Sequence, residues 1–60
     1  MIYTYDTITE EVVMVSEKSN EYTNKNWVDF EADEKMFLSW QTRENPDQKM
    51  YVRNGEIILE

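Results

Sequence analysis

The chain contains no cysteine and no histidine, and it has only one glycine, one proline and one alanine in 60 residues. Each absence removes a class of chemistry. Without imidazole there is no ordinary base or metal ligand that titrates near neutral pH. Without thiols there is no thiolate nucleophile, no cysteine-based zinc site and no disulfide. A chain this small with a single glycine has little room for a substrate cleft. No apolar run approaches the ~20 residues of a membrane-crossing helix, and no apolar stretch follows a basic start, so neither a membrane span nor a secretory signal is expected. Lack of cysteine suits a reducing compartment, and the expected location is the cytoplasm, a host cell's cytoplasm if the gene belongs to a phage. Met1 and the strand-like tail lead us to expect a complete small gene product.

Acids are what the chain has in excess. Thirteen Asp and Glu stand against six Lys and Arg, a net charge of −7. Sixty residues make one domain, which buries only about 60% of its unfolded surface. With no disulfide or cysteine–histidine metal site as a staple, its core must come from Tyr3, Tyr5, Tyr22, Tyr51, Trp27, Trp40, Phe30 and Phe37 with the aliphatics. Some apolar surface is expected to go to a partner or to a second copy, as in a homodimer. Asn, Lys, Ile, Tyr, Met and Phe are abundant while Ala, Gly, Pro and Arg are scarce, a usage that follows AT-rich codons and suits a low-GC bacterium or its phage.

The pattern predicts an all-β fold, or α+β with one short helix: a small antiparallel sheet or barrel ending in a three-stranded meander. The C-terminal hairpin is the clearest element. Arg53-Asn54-Gly55-Glu56 reads as a type I′ turn, because Asn and Gly tolerate the positive φ it requires. That turn pairs Arg53 with Glu56, Val52 with Ile57, Tyr51 with Ile58, Met50 with Leu59 and Lys49 with Glu60. One face becomes wholly apolar; the other holds two opposite-charge pairs around Tyr51–Ile58. Residues 36–43 alternate as Met36, Leu38, Trp40, Thr42 against Phe37, Ser39, Gln41, Arg43. A type I turn with Asn45 first and Pro46 second would join them to the hairpin, Thr42 opposite Met50 and Trp40 opposite Val52. Residues 2–8 alternate as a strand. Residues 11–17 hold Val12, Val13, Met14 and Val15; that β-branched run favours a strand, and a helix capped at Thr9 is the alternative. Residues 27–31 suit a strand or a short helix from Asn26, and residues 19–26 read as a loop.

Four constellations bear on function. Asp29, Glu31, Asp33 and Glu34 alternate like the start of a calcium loop, but such a loop needs glycine at its sixth position and a closing glutamate at its twelfth. Glu34 and Trp40 stand there, so no metal is expected, and no cofactor. Carboxylate pairs for acid–base work need a cleft between rigid walls, which so small a chain has little room to build; no enzymatic activity is expected. The aromatics would suit base stacking, but the six scattered bases give no groove for a phosphate backbone, so direct nucleic-acid binding is not expected. The charge itself remains. Glu10, Glu11, Glu17, Glu21, Asp29, Glu31, Asp33, Glu34, Glu44 and Asp47 fall in turns or on expected solvent faces. They would steer the protein to basic partners. Ordinary solubility charge in a small domain also reaches a magnitude of about 8.

In kind, the chain is similar to small acidic phage-encoded inhibitors, including DNA mimics and anti-restriction or anti-CRISPR proteins. Size, charge and missing catalytic groups carry that likeness, and no residue role comes with it. The expectation is a non-enzymatic acidic inhibitor or binding protein that blocks a basic, nucleic-acid-handling host protein. Asp29, Glu31, Asp33 and Glu34 would form its acidic contact, and Tyr51 and Ile58 an apolar one. The rival is an assembly module that acts by homo-oligomerisation or by strand addition at a sheet edge, for which the C-terminal strand is the expected candidate.

Overall fold

The computed structural model describes residues 1–19 and 21–60. The protein is mostly β with one short helix. Its elements run β1 (Ile2–Asp6), β2 (Val12–Ser16), β3 (Trp27–Glu31), α1 (Lys35–Gln41), β4 (Met50–Arg53) and β5 (Glu56–Leu59). β1 is the centre of a three-stranded antiparallel sheet, ordered β2-β1-β3, and β4 and β5 form a separate two-stranded sheet. Among the described residues no barrel closes. Asn20, inside the loop read at residues 19–26, lies outside the described residues.

Residues 11–17 and 27–31 both resolve as strands, as the β-branched and aromatic content of each favours. β1 pairs Tyr3 with Val15 and Phe30, and Thr4 with Met14 and Asp29; between Thr4 and Tyr5 the register with β2 slips at a bulge. In the β1–β2 turn the Asp6 carboxylate accepts the Ile8 N–H at 2.8 Å. Glu10 closes that turn at φ 68°, a left-handed conformation unusual for a residue with a Cβ.

The hairpin forms with the register its turn dictates, from Arg53–Glu56 to Met50–Leu59. Reciprocal backbone bonds of 2.9 Å extend it to Lys49 and Glu60. Asn54 and Gly55 have φ of 55° and 74°, as a type I′ turn requires. The ion pairs differ from those the register suggests. Lys49 reaches Glu11 at 3.8 Å, while Arg53 bonds Glu10 and Glu60. These side chains are long and exposed enough to leave their cross-strand neighbours: Lys49 and Arg53 reach Glu11 and Glu10, where the backbone already brings the two sheets together, and Arg53 also reaches Glu60 at the end of its own hairpin.

The strand expected at residues 36–43 is instead helix α1, so the C-terminal meander has two strands, not three. The spacing allowed both. Met36, Phe37, Trp40 and Arg43 are half-buried, and steps of one, four and seven trace one helix stripe as readily as Met36, Leu38 and Trp40 trace one strand face. One local bond and one tertiary bond settle it. The Asp33 carboxylate accepts the Lys35 N–H at 3.0 Å, and the Tyr3 hydroxyl, from the centre of the sheet, accepts the Phe37 N–H at 3.2 Å. Two of the first-turn donors that a helix leaves unpaired are thereby satisfied. At the other end Thr42 Oγ1 donates to Leu38 C=O and Arg43 Nη1 to Trp40 C=O. The Asn45–Pro46 turn forms as expected, with Gln48 N–H donating to Asn45 C=O at 3.1 Å; it follows a helix.

Among the described residues, fully or nearly fully buried side chains are few: Tyr3 and Thr4 at 0%, Met50 at 4% and Val52 at 5% exposure. The accessible surface is 4459 Å², against roughly 4,200 Å² for a folded chain of this mass. The core is therefore thin. It lies where β1, α1 and the hairpin meet, with α1 against β5 and β4 against β2.

Candidate functional site

Three features are candidates for function: the acids from β3 to the start of α1, the hairpin's outer face, and a groove along β2.

Asp29 sits on β3 opposite Thr4 of β1. Its carboxylate is held by Ser19 Oγ on one oxygen and by the Tyr22 hydroxyl, at 2.7 Å, on the other. Thr4 Oγ1 lies 2.7 Å from the Tyr22 hydroxyl and 3.1 Å from Asp29. Two hydroxyl protons serve these three oxygen–oxygen contacts, and the two short ones make the relay Thr4 to Tyr22 to Asp29. Tyr22 also meets the Trp27 ring edge-on at 6.1 Å. The hydrogen bonds from Ser19 and Tyr22 hold Asp29 below its ordinary carboxylate range. A carboxylate so stabilised is a weak base; here it fastens the β2–β3 connection onto the sheet.

Glu31, Asp33 and Glu34 follow on the exposed corner between β3 and α1. Asp33 has two structural bonds: its side chain accepts from Lys35 N–H, and its backbone C=O accepts the Tyr3 hydroxyl at 2.5 Å. Burial, first, and the nearby Asp33 and Glu34 charges raise the Tyr3 phenol above its ordinary value, against the lowering effect of the Phe37 N–H. Among the described residues no lysine or arginine pairs with Asp29, Glu31, Asp33 or Glu34, and no three acids gather as a metal-holding group.

Tyr51 and Ile58 face each other across the hairpin and both are half-buried. The Arg53 guanidinium lies 5.3 Å from the Tyr51 ring centroid. Its bond to Glu60, followed by its bond to Glu10, keeps it firmly charged. The outer apolar pair is thus partly roofed by an ion-paired arginine of the same hairpin. Glu10 and Glu11, read from sequence as part of the solvated acidic field, are half-buried and joined to Arg53 and Lys49.

The groove was not legible beforehand. It has a volume of about 550 Å³ and lies between β2 on one side and Phe37, Trp40, Arg43 and residues 46–49 on the other. Phe37 and Trp40 stack at 6.3 Å between centroids, and the Arg43 guanidinium covers the Trp40 ring at 4.3 Å. Arg43 Nη1 donates to Trp40 C=O at 2.7 Å, while its Nε is buried with no acceptor. Phe37, Trp40 and Arg43 recur at helical steps of three; that spacing, read as a helix face, was the one signal that would have found this wall.

Comparisons of the chain with protein-family models, with curated proteins and with solved structures gave no match.

Proposed function

We propose that the protein is a non-enzymatic binding protein, plausible as a phage product, that occupies a basic surface on a nucleic-acid-handling host protein and blocks it. The observation that carries this reading is the run of Asp29, Glu31, Asp33 and Glu34 along β3 and the corner into α1 with no basic partner among the described residues. Of the acids that do have basic partners, Glu10 and Glu11 serve the junction of the two sheets and Glu60 is held by Arg53 within the hairpin. Strand geometry and the Asp29 hydrogen bonds give this charge fixed positions. Fixed charge steers association and sets orientation more than it adds affinity. Two arms test the reading. Tagged protein is used to capture proteins from bacterial lysate at low and high salt, beside a Glu31→Gln/Asp33→Asn/Glu34→Gln variant. The reading expects basic nucleic-acid-binding proteins at low salt, lost at high salt and with the variant. Equal capture by both proteins, or no excess of basic proteins, overturns it.

A second reading, an assembly module that works by strand addition or homo-oligomerisation, draws support from the partly unpaired outer edge of β2.

A further inference from the structure

Five consecutive residues, Glu11, Val12, Val13, Met14 and Val15, line the groove. Side chains of a strand alternate between faces; the bulge breaks that alternation at Val13, but Met14 and Val15, which pair with Thr4 and Tyr3, lie on opposite faces and both line the groove, so the strand presents its edge there. The other edge of β2 is bonded to β1; the groove side is the outer edge of the sheet. The lane beside it is occupied at one end. There β4 runs antiparallel to β2, with Glu11 bridged to Tyr51 and Val52 N–H donating to Glu10 C=O at 2.9 Å. Beyond that single bridge no further pair joins the two strands among the described residues, and residues 46–49 form the far wall of the groove. The bridge register would set Met50 to Asp47 opposite Val12 to Val15, but that segment pairs no further with β2 among the described residues, so the outer edge of Val12 to Val15 faces the groove, across from the Phe37–Trp40 stack.

We propose that this groove is a binding site for an extended segment of a partner protein, which adds antiparallel to the outer edge of β2, between it and residues 46–49. Such a segment alternates apolar side chains, directed at Phe37 and Trp40, with polar ones, and carries a carboxylate for Arg43. An extended backbone is the occupant because a strand edge offers main-chain donors and acceptors that only another backbone matches in spacing. A carboxylate is favoured because the Arg43 charge meets the Trp40 ring and the carbonyl oxygens of Trp40 and Pro46, and has no acidic partner among the described residues. Lys49, also on the groove, is engaged by Glu11. The inference deepens the strand-addition reading and rests on it; the acidic corner takes no part.

The test uses a fluorescein-labelled heptapeptide of alternating valine and threonine with a free C-terminal carboxylate, titrated into the intact protein by fluorescence anisotropy. Saturable binding with a Kd below about 1 mM is expected. Methylating alternate backbone nitrogens of the peptide should abolish it. Arg43→Gln should weaken it about tenfold. Val13 is exposed, so Val13→Lys keeps the fold while placing a charge on the edge, a common natural guard against strand addition; it should remove binding. Glu31→Gln should leave binding unchanged, which separates this site from the acidic corner. Equal binding of the methylated peptide, or of the Val13→Lys protein, overturns strand addition. No binding overturns the site. Sedimentation showing a dimer that Val13→Lys dissociates, with no peptide bound, gives the groove to a second copy and overturns the partner segment.

Discussion

Replacing Tyr3 by Phe isolates a single oxygen that joins the sheet to the helix. The ring is fully buried and Phe fills the same space, so packing is nearly conserved. What goes is the donor to Asp33 C=O at 2.5 Å and the acceptor of Phe37 N–H at 3.2 Å. A buried polar group left without a partner costs about 1–3 kcal/mol. Asp33 is exposed and Phe37 half-buried, so water replaces part of the loss, and about 2 kcal/mol is expected for the pair. A 60-residue domain has a total stability of about 3–9 kcal/mol, so the substitution removes about a fifth or more. In thermal terms the loss is about 8–16 °C in Tm. Urea unfolding followed by circular dichroism measures it, with an unchanged m value showing that both proteins unfold alike. The pH dependence supplies a second readout. The Tyr3 phenol is raised in the folded state, so its contribution is complete below the unfolded value near 10. It falls as pH climbs from there through the folded value, by at most about 1.4 kcal/mol per pH unit. The gap between wild type and Tyr3→Phe should therefore narrow above pH 10. A loss under about 0.5 kcal/mol at pH 7, or a gap that stays constant to pH 12, would refute the role given to this hydroxyl.

Three further outcomes follow from the same geometry. Gly55→Ala meets nothing within 4 Å, so only its φ of 74° is at stake; the left-handed conformation costs about 1 kcal/mol, read as a drop of about 4–8 °C in Tm. Asp29 is lowered in the folded state by Ser19 and Tyr22, so its contribution is present above its ordinary value and fades as pH falls through the lowered one. Acid titration of Asp29→Asn by circular dichroism should show a shallower loss of stability below about pH 4 than wild type. Val52 is nearly buried at the hairpin's contact with β2, and Val52→Ala should cost about 2 kcal/mol in urea unfolding; an unchanged midpoint would show that the core lies elsewhere.

Local chemistry made the hairpin readable. Asn54-Gly55 fixes the turn, the turn fixes the register, and all the expected cross-strand partners are found. The Asn45–Pro46 turn is equally local, and it forms even though the element before it is a helix rather than the expected strand. At residues 36–43 the spacing of Met36, Phe37, Leu38 and Trp40 satisfies both periodicities, and the deciding bond comes from Tyr3, more than thirty residues away. The acids were visible as a count and as a segment, but their roles were not. Asp29 and Asp33 turn out to secure the sheet and the helix, and Glu10 and Glu11 to join the two sheets. Nothing in residues 11–15 alone revealed that β2 would be an edge, because strand order is decided by which partners arrive on each side.

The sequence by itself determined the charge, the absence of imidazole and thiol chemistry, the strand-forming segments and the C-terminal turn. All of these depend on residues close together in the chain or on simple composition. The tertiary structure alone decided that α1 is a helix, that Tyr3 caps it, and that the outer edge of β2 faces a groove walled by aromatics. Those outcomes rest on hydrogen bonds and packing between distant segments, whose free energy exists only once the chain has brought them together.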